Sequence, residues 1–297
     1  MYYAPDPPEE KWRVISVNAP EYPPLLKTIE EPPKELFVLG DVSVLSKTCV
    51  GIVGARRATD YGKWAAGRLA KKLSDNGVVV VSGMAEGIDS QAHKGALEGS
   101  SPTIAVLGTG IDICFPSFNR GLRAKIISRG AVISEYSPGV QGAKYTFPQR
   151  NRIISGLSRA LVVAEAGLSS GSLITAESAA SQGREVYAIP GNINRSLSIG
   201  CNKLIRDGAR ALVFFDDLLS DMGISADIDK VVAEGLSDEE RRIYEVSCAN
   251  GELSIDDLAR ICRKETASIS VTVTVLEMKG IVAYEHGRVI PLQQANK

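Results

Sequence analysis

Short apolar runs rich in β-branched residues alternate with helical stretches between residues 46 and 220, and this alternation limits the possible folds most strongly. The runs are apolar throughout, which is typical of strands that are buried on both faces. When such strands alternate with helices, the pattern predicts a mostly parallel sheet covered on both sides. We therefore expect an extended Rossmann-like, doubly wound α/β domain, which binds ligands at the carboxyl ends of its strands. The predicted strands are 49–53, 78–82, 103–107, 131–134, 161–164, 185–189 and 211–214, and the predicted helices are 61–76, 89–98, 119–129, 173–182 and 201–207.

The segments on either side of this domain differ from it in composition. Residues 1–45 are rich in proline, contain one short predicted strand at 13–17, and are expected to pack on the core as a lead-in. Residues 221–235 are polar and read as a linker. Residues 236–297 contain three helical patterns and a hairpin turned at His286-Gly287, which together predict a small winged-helix domain. Within it, 271–275 alternates like a strand, but the flanking sequence favours a helix.

Composition excludes several classes of protein. The formal net charge is −1, so any surface for nucleic acid must be local rather than global. The five cysteines form no CxxC pair, which argues against a disulfide framework or a metal site and fits a reducing compartment. The amino terminus is acidic and proline-rich, unlike a signal peptide, and no apolar run approaches the ~18 residues that a membrane span needs. We expect a cytoplasmic protein without metal or cofactor and without a role in the membrane.

Four or five loops have the strand–glycine–helix pattern that directs backbone N–H groups at an anion, including one at Pro190-Gly191. The first contains Arg56 at a position where a dinucleotide fingerprint would need glycine, which suggests contact with phosphate or a base. The alternative is a surface arginine paired with a neighbouring carboxylate. The second loop contains Gly83, and the third contains Ser170 and Gly171 among other small residues. Several such loops at one edge of the sheet predict a groove rather than a pocket for one nucleotide.

A basic segment supplies the most informative pattern. Between Ser117 and Ala160 there are eight basic residues and one acidic residue, which predicts a basic face. Cations interleaved with aromatic rings are what single-strand binding requires, because cations meet phosphates and rings stack on exposed bases. The alternative is a solvated basic helix with Phe147 in the core. The candidate residues of this segment are Lys144, Phe147, Arg150, Asn151 and Arg152.

With these segments assembled, the chain resembles the DprA/Smf family of DNA-processing proteins. The matching stretches include GIVGARRATDYG, SGMAEGIDSQAHKGAL, FPQRNRIISGLS and SGSLITAESAASQGREVYAIPG, in the family's order. The resemblance implies a homodimer that binds single-stranded DNA in a basic groove and helps to load a RecA-type recombinase in natural transformation. It assigns DNA contact to Arg56 and to the five candidate residues of the basic segment, with phosphate contacts from the Ser170–Gly171 backbone.

Two further hypotheses compete with DNA binding, and both are weaker. The related fold of cytokinin-activating phosphoribohydrolases makes a nucleotide N-glycosidase conceivable through Glu165 or Glu177, but the PGGxGTxxE loop of those enzymes is absent. A module that senses a phosphorylated nucleotide would suit the loops, but not eight cations. His93 alone suggests a packed side chain more than an acid–base catalyst, so we expect no catalytic residue.

The apolar end of the domain suggests a dimer contact. Residues 212–215 and the pair Leu218 and Leu219 form an apolar run beside the polar linker. Such a run is either core or interface. We expect Leu218 and Leu219 to contact a second copy of the chain.

Overall fold

The structure is a computed structural model, and it describes residues 11–224, 236–279, 281–285 and 287–291. The first ten residues of the lead-in, residues 225–235 of the predicted linker and His286 of the predicted turn lie outside the described residues. The chain divides into two compact units, Met1–Phe215 and Asp216–Lys297.

The first unit contains one nine-stranded sheet. Its order in space is β1-β2-β6-β5-β4-β3-β7-β8-β9, and every pair from β6 to β9 is parallel. This confirms the predicted mostly parallel α/β fold. The strands, in chain order, are β1 (Arg13–Ser16), β2 (Glu35–Gly40), β3 (Cys49–Gly54), β4 (Val79–Ser82), β5 (Thr103–Val106), β6 (Ala131–Ser134), β7 (Ala160–Glu165), β8 (Glu185–Ala188) and β9 (Arg210–Ala211).

Strand order reverses beside β3, which lies in the middle of the sheet. From β3 the chain adds β4, β5 and β6 on one side, and then returns to place β7, β8 and β9 on the other. The loops that leave β3 and β7 therefore diverge and open a crevice at the carboxyl ends of these strands.

Helices cover both faces of the sheet. The helices of this unit are α1 (Pro24–Lys27), α2 (Asp60–Asp75), α3 (Ile88–Glu98), α4 (Arg120–Arg129), α5 (Thr146–Leu157), α6 (Gly171–Ser181) and α7 (Ile199–Arg206). A further helix, α8 (Phe215–Asp221), begins at the last residue of the first unit and continues into the second. Residues of α5 and α6 share one buried cluster with alternate residues of β4, β5 and β6. Residues of α4 share a second cluster with the intervening residues of β5 and β6, and α3 packs against α2 and α4. The two sets of residues alternate along each strand because successive side chains point to opposite faces.

The lead-in extends the sheet. Strand β1, predicted from the sequence, pairs antiparallel with β2, and β2 pairs antiparallel with β6. The lead-in therefore covers an edge that the parallel strands would otherwise leave open.

Several elements of this unit differ from the sequence-based prediction, and β2 is a strand where none was assigned. Helix α5 occupies a basic segment to which no helix was assigned, and Pro148 is tolerated because it lies in the first turn of the helix. Strand β9 is only two residues long, where a strand over 211–214 was predicted.

The predicted dimer contacts are not surface residues. Leu218 and Leu219 in α8 are 0% and 1% exposed in the single chain. As they stand, their side chains are covered within the single chain and offer no surface to a second copy. The homodimer itself stays a prediction.

The second unit contains the elements in the order that the sequence predicts. Three helices, α9 (Asp238–Asn250), α10 (Ile255–Cys262) and α11 (Thr266–Met278), precede the hairpin of β11 (Val282–Glu285) and β12 (Arg288–Pro291). A two-residue strand, β10 (Leu253–Ser254), completes a small antiparallel sheet. The alternating segment 271–275 is helical, as its flanks indicated. All three helices and the hairpin contribute to one buried cluster, and the winged-helix assignment stays a prediction.

Among the described residues, no helix has both the length and the apolar character that crossing a membrane requires.

Candidate functional site

A cleft of about 650 Å³ lies at the point where the strand order reverses. Its walls come from the loop after β3, the loop after β7 and the first turns of α5, together with the segment that precedes α5. Seven of the nine predicted binding residues line it, which are Arg56, Lys144, Phe147, Arg150, Asn151, Ser170 and Gly171. The crevice that the topology requires and the residues selected from sequence thus coincide.

The loop after β3 is fixed by Glu165, the last residue of β7. The Glu165 carboxylate accepts hydrogen bonds from the Thr59 hydroxyl at 2.6 Å and the Thr59 backbone N–H at 2.8 Å. The Thr59 hydroxyl also caps α2 by accepting from the Gly62 N–H at 3.1 Å. The loop that presents Arg56 is therefore pinned to the neighbouring strand before any ligand binds.

The loop after β7 ends at the amino terminus of α6, where backbone N–H groups are unpaired and anions are stabilised. Ser170 is the N-cap of this helix, and its hydroxyl lies 2.8 Å from the Ser172 hydroxyl. The Asn151 side-chain amide donates to the Gly171 carbonyl at 3.4 Å, which joins this loop to α5. A Cβ on Gly171 would meet no atom within 4 Å, so the helix end is open to the cleft.

Arg150 is a buried residue at the floor of the cleft. Its side chain is 5% exposed, and its guanidinium donates to the carbonyl oxygens of Gly83, at 2.8 Å, and Val106. Burial lowers the pKa of Arg150 to about 10, and the charge of nearby Asp89 opposes that shift. Burial also raises the pKa of Asp89, and the charge of Arg150 opposes that shift. The hydrogen bonds of Arg150 hold the floor together, and its contact with DNA stays a prediction.

Arg56 and Phe147 contact each other in the wall of the cleft. The Arg56 guanidinium lies 5.7 Å from the centre of the Phe147 ring, within the range of a cation–π contact. Within the described residues, Arg56 and Lys144 form no salt bridge, so both charges remain available to an anion. The alternative of an Arg56 paired with a carboxylate is therefore not what the structure shows.

Two predicted binding residues lie outside the cleft. Arg152 forms a two-pronged salt bridge with Glu135, with N–O distances of 2.7 and 3.1 Å. Gly83 lies behind the floor, where its carbonyl oxygen accepts from Arg150. A contact of Arg152 with DNA would require that it leave Glu135, the one acidic residue of the basic segment.

The eight cations of the basic segment do not form one basic face. Besides Arg150 and Arg152, two of them donate to backbone carbonyl oxygens. Arg123 donates to the Ile111 carbonyl at 2.8 Å, and Arg129 donates to those of Leu97 and Gly99. The expectation of one basic face is therefore wrong, because three of these cations donate to backbone carbonyls and a fourth, Arg152, is paired with Glu135.

Several residues of the cleft were not selected from sequence, chiefly Arg57, Ser169 and Ser172. Arg57 follows Arg56 directly, and both serines flank the selected pair Ser170–Gly171. Their place in the same loops was a usable signal. Ala85 and Asp89, from the second loop and the start of α3, also line the cleft. The sequence could not predict this, because it depends on how α3 packs.

The candidates for catalysis have structural roles. His93 is fully buried, and its Nδ1 lies 2.8 Å from the Thr103 hydroxyl. Because that hydroxyl donates to the Val80 carbonyl at 2.7 Å, it accepts from His93, so Nδ1 carries the proton. Burial lowers the pKa of His93 to about 3. Glu165 is buried and accepts from Thr59, as described above. Within the described ranges, no group of three or more His, Cys, Asp or Glu side chains could hold a metal ion.

Comparison with known proteins places these features in one family. The family model of the DNA recombination-mediator protein A matches residues 13–223. The chain belongs to this family.

Individual relatives agree with that assignment. A protein of Streptococcus pneumoniae named DNA processing protein DprA is 42% identical over 212 residues, which cover 71% of this chain and 75% of the relative. The X-ray structure of DprA from S. pneumoniae matches with a TM-score of 0.68 at 43% identity, over 71% of this chain and 74% of that one. A structure of DprA from Helicobacter pylori, described by its single-stranded DNA binding mode, matches with a TM-score of 0.66 at 30% identity, over 72% of this chain and 96% of that one.

Proposed function

We propose that the chain binds single-stranded DNA in the cleft between the loops after β3 and β7. One observation supports this most directly: unpaired cations, an open helix amino terminus and an aromatic ring line the same cleft. The related DprA of H. pylori is described as binding single-stranded DNA, which is consistent with this proposal.

The phosphates of the strand would be bound by Arg56, Arg57 and Lys144 and by the amino terminus of α6. Arginine presents a planar set of donors that matches phosphate oxygens, and the helix end adds backbone donors without a side chain. These contacts read no base, so binding should tolerate any sequence.

The proposed activity is binding without catalysis. A glycosidase would need a carboxylate free to act on the sugar, whereas the Glu165 carboxylate is held by the backbone and hydroxyl of Thr59. Glu177 is exposed on α6, outside the lining of the cleft. His93 is buried against β5, an interior strand, and its pKa is far below neutrality.

Two finer roles are proposed from the family resemblance. The chain would act as a homodimer, and it would hand its bound strand to a RecA-type recombinase. A shallow cleft lined by loops suits this role, because the strand can be released without opening an enclosed pocket.

The test is a fluorescence-anisotropy titration of labelled oligo(dT) at several salt concentrations. Binding to single strands through phosphates should weaken as salt rises, with a logarithmic slope of about −0.7 for each phosphate contact. We expect three to five contacts and therefore a clear negative slope. An affinity that does not change with salt would contradict the proposal that the cleft binds DNA through its phosphates. Competition by unlabelled mononucleotides separates this proposal from nucleotide sensing, because a sensor of small nucleotides would be displaced at low concentrations.

A further inference from the structure

The ring of Phe147 has neighbours on several sides. The Arg56 guanidinium lies 5.7 Å from its centre, and the ring of Phe115 lies 5.3 Å away at an interplanar angle of 40°. A Cβ on Gly108 or on Gly142 would lie 2.8 or 2.9 Å from atoms of the ring. Phe147 is thus seated in a slot with glycine walls, and only part of its surface is left for a base.

Phe115 presents the free aromatic surface of this stack. It is 49% exposed, and it is not among the residues that line the cleft. It belongs to the loop between β5 and α4, which leaves the same edge of the sheet as the loop after β3 because the strands between them are parallel. The row Arg56–Phe147–Phe115 therefore runs from the cleft to a ring outside it.

The loop of Phe115 is held in place by several hydrogen bonds. The Thr109 hydroxyl donates to the Ile113 carbonyl at 3.0 Å, and Arg123 donates to the Ile111 carbonyl at 2.8 Å. The Asp112 carboxylate accepts from the Gly139 N–H at 2.9 Å. A ring that stays exposed on a pinned loop is a fixed platform, and exposed aromatic surface beside a binding cleft is typical of an interaction site.

We propose that Phe115 is a second base-stacking subsite, which binds a nucleobase of the strand after it leaves the cleft. This proposal rests on the proposed binding of single-stranded DNA and adds the path that the strand takes. The ligand is a base of any identity, because stacking uses the π face that all bases share. The Arg56 and Phe147 pair would fix the base and phosphate inside the cleft, and Phe115 would bind the next part of the strand.

The test compares variants on a ladder of oligo(dT) from about 2 to about 16 nucleotides, which spans the usual site sizes of single-strand-binding domains. Phe115→Leu keeps an apolar side chain beside Phe147 but removes the planar face. We expect this variant to bind the longer oligonucleotides roughly 5- to 100-fold more weakly, which is the usual effect of losing one stacked base. Its affinity for the shortest oligonucleotides should not change. Arg56→Ala should weaken binding at every length.

The matched control is Phe118→Leu. Phe118 is an exposed phenylalanine of the same loop, at 66% exposure, and makes no ring contact among the described residues. Its affinities should follow the parent at each length. An equal loss in Phe118→Leu would show a general disturbance of the loop and overturn the proposal.

A direct readout uses Phe115→Trp. Its added tryptophan fluorescence should be quenched by long oligonucleotides and not by the shortest ones, relative to the parent with Trp12 and Trp64. Parent-like affinity of Phe115→Leu at every length would overturn the subsite, as would an equal loss at every length, which would mean that Phe115 acts only by supporting Phe147. A parent protein that binds no oligonucleotide would instead overturn the proposed function itself.

Discussion

The Arg150 guanidinium donates a 2.8 Å hydrogen bond to the carbonyl oxygen of Gly83, and a Cβ on Gly83 would lie only 2.5 to 2.7 Å from that guanidinium. The glycine and the arginine therefore depend on each other. Gly83 has no side chain and so leaves space for the Arg150 guanidinium. Arg150 in turn donates to the buried carbonyl oxygen of Gly83.

Gly83→Ala should displace the Arg150 side chain and lower the free energy of unfolding by about 1–3 kcal/mol, the usual cost of overpacking. Denaturant titration measures this loss. Gly121→Ala in α4 is the matched control, because a Cβ there meets nothing within 4 Å. It should be neutral or stabilising by up to about 1 kcal/mol. Equal stability of the two variants would show that Arg150 moves aside at no cost.

Arg56→Ala should weaken binding of single-stranded DNA by about 1.5–3 kcal/mol, the value of one hydrogen bond to a charged group, while the protein stays folded. Arg56→Lys should recover only part of this loss, because an ammonium lacks the planar fork. Arg68→Ala removes the same charge from an exposed site on α2 outside the cleft and should bind like the parent. Anisotropy titration with oligo(dT) gives the affinities, and a melting curve checks folding. An Arg56→Ala variant that binds as tightly as the parent would mean that the cleft is not the DNA site.

Stability should fall in acid because of His93. Its pKa is about 3 in the folded chain and about 6.5 when unfolded, so the unfolded chain binds the extra proton between these values. As the pH falls from 6.5 towards 3, this one group should cost up to about 1.4 kcal/mol per pH unit. The raised pKa of Asp89 acts in the opposite direction, so the informative quantity is the difference between two proteins.

This prediction is tested by measuring the free energy of unfolding of the parent and of His93→Gln by urea titration at several pH values. The variant should have lower stability at neutral pH but a shallower loss towards acid. Identical slopes would show that His93 becomes protonated within the folded protein.

Leu218→Glu combined with Leu219→Glu should destabilise the chain by about 3 kcal/mol or more, since both side chains are buried and a carboxylate there has no partner. Val213→Glu introduces the same charge at a site that is 62% exposed and should change stability by less than about 0.5 kcal/mol. Thermal melting distinguishes the two. A double variant that melts like the parent but sediments as a smaller species would restore the interface first expected there.

The sequence determines strands β3 to β7 well because each is buried on both faces, and burial of this kind requires an uninterrupted apolar run. It predicts β2 and α5 poorly. Strand β2 lies in a proline-rich segment, and its partner β6 is distant in the chain. In α5, Arg150, Asn151 and Arg152 interrupt the apolar periodicity that would mark a helix. The first two line the cleft, and Arg152 is paired with Glu135.

The residues of the candidate site also divide into those that the sequence predicts and those that it does not. Arg56, Ser170 and Gly171 could be selected because strand–loop–helix order alone places them at the sheet edge. The burial of Arg150 could not be anticipated, because its partners are the backbone carbonyls of Gly83 and Val106. Every residue has a backbone carbonyl, so the sequence does not indicate which ones accept from a side chain.

The pairing of β2 with β6 has a consequence for how the chain is made. Phe37 pairs with Ser134, although three strands and three α-helices lie between them in the sequence. During synthesis β1 and β2 emerge before strands β3 to β6, so β2 must wait for four parallel strands before it can pair with β6. Pairings this distant in sequence form slowly, because a long loop must close before any contact forms. Strand β6, in turn, has an exposed row of N–H and C=O groups until the hairpin docks, so the lead-in protects the newly folded domain from joining its sheet to that of another chain.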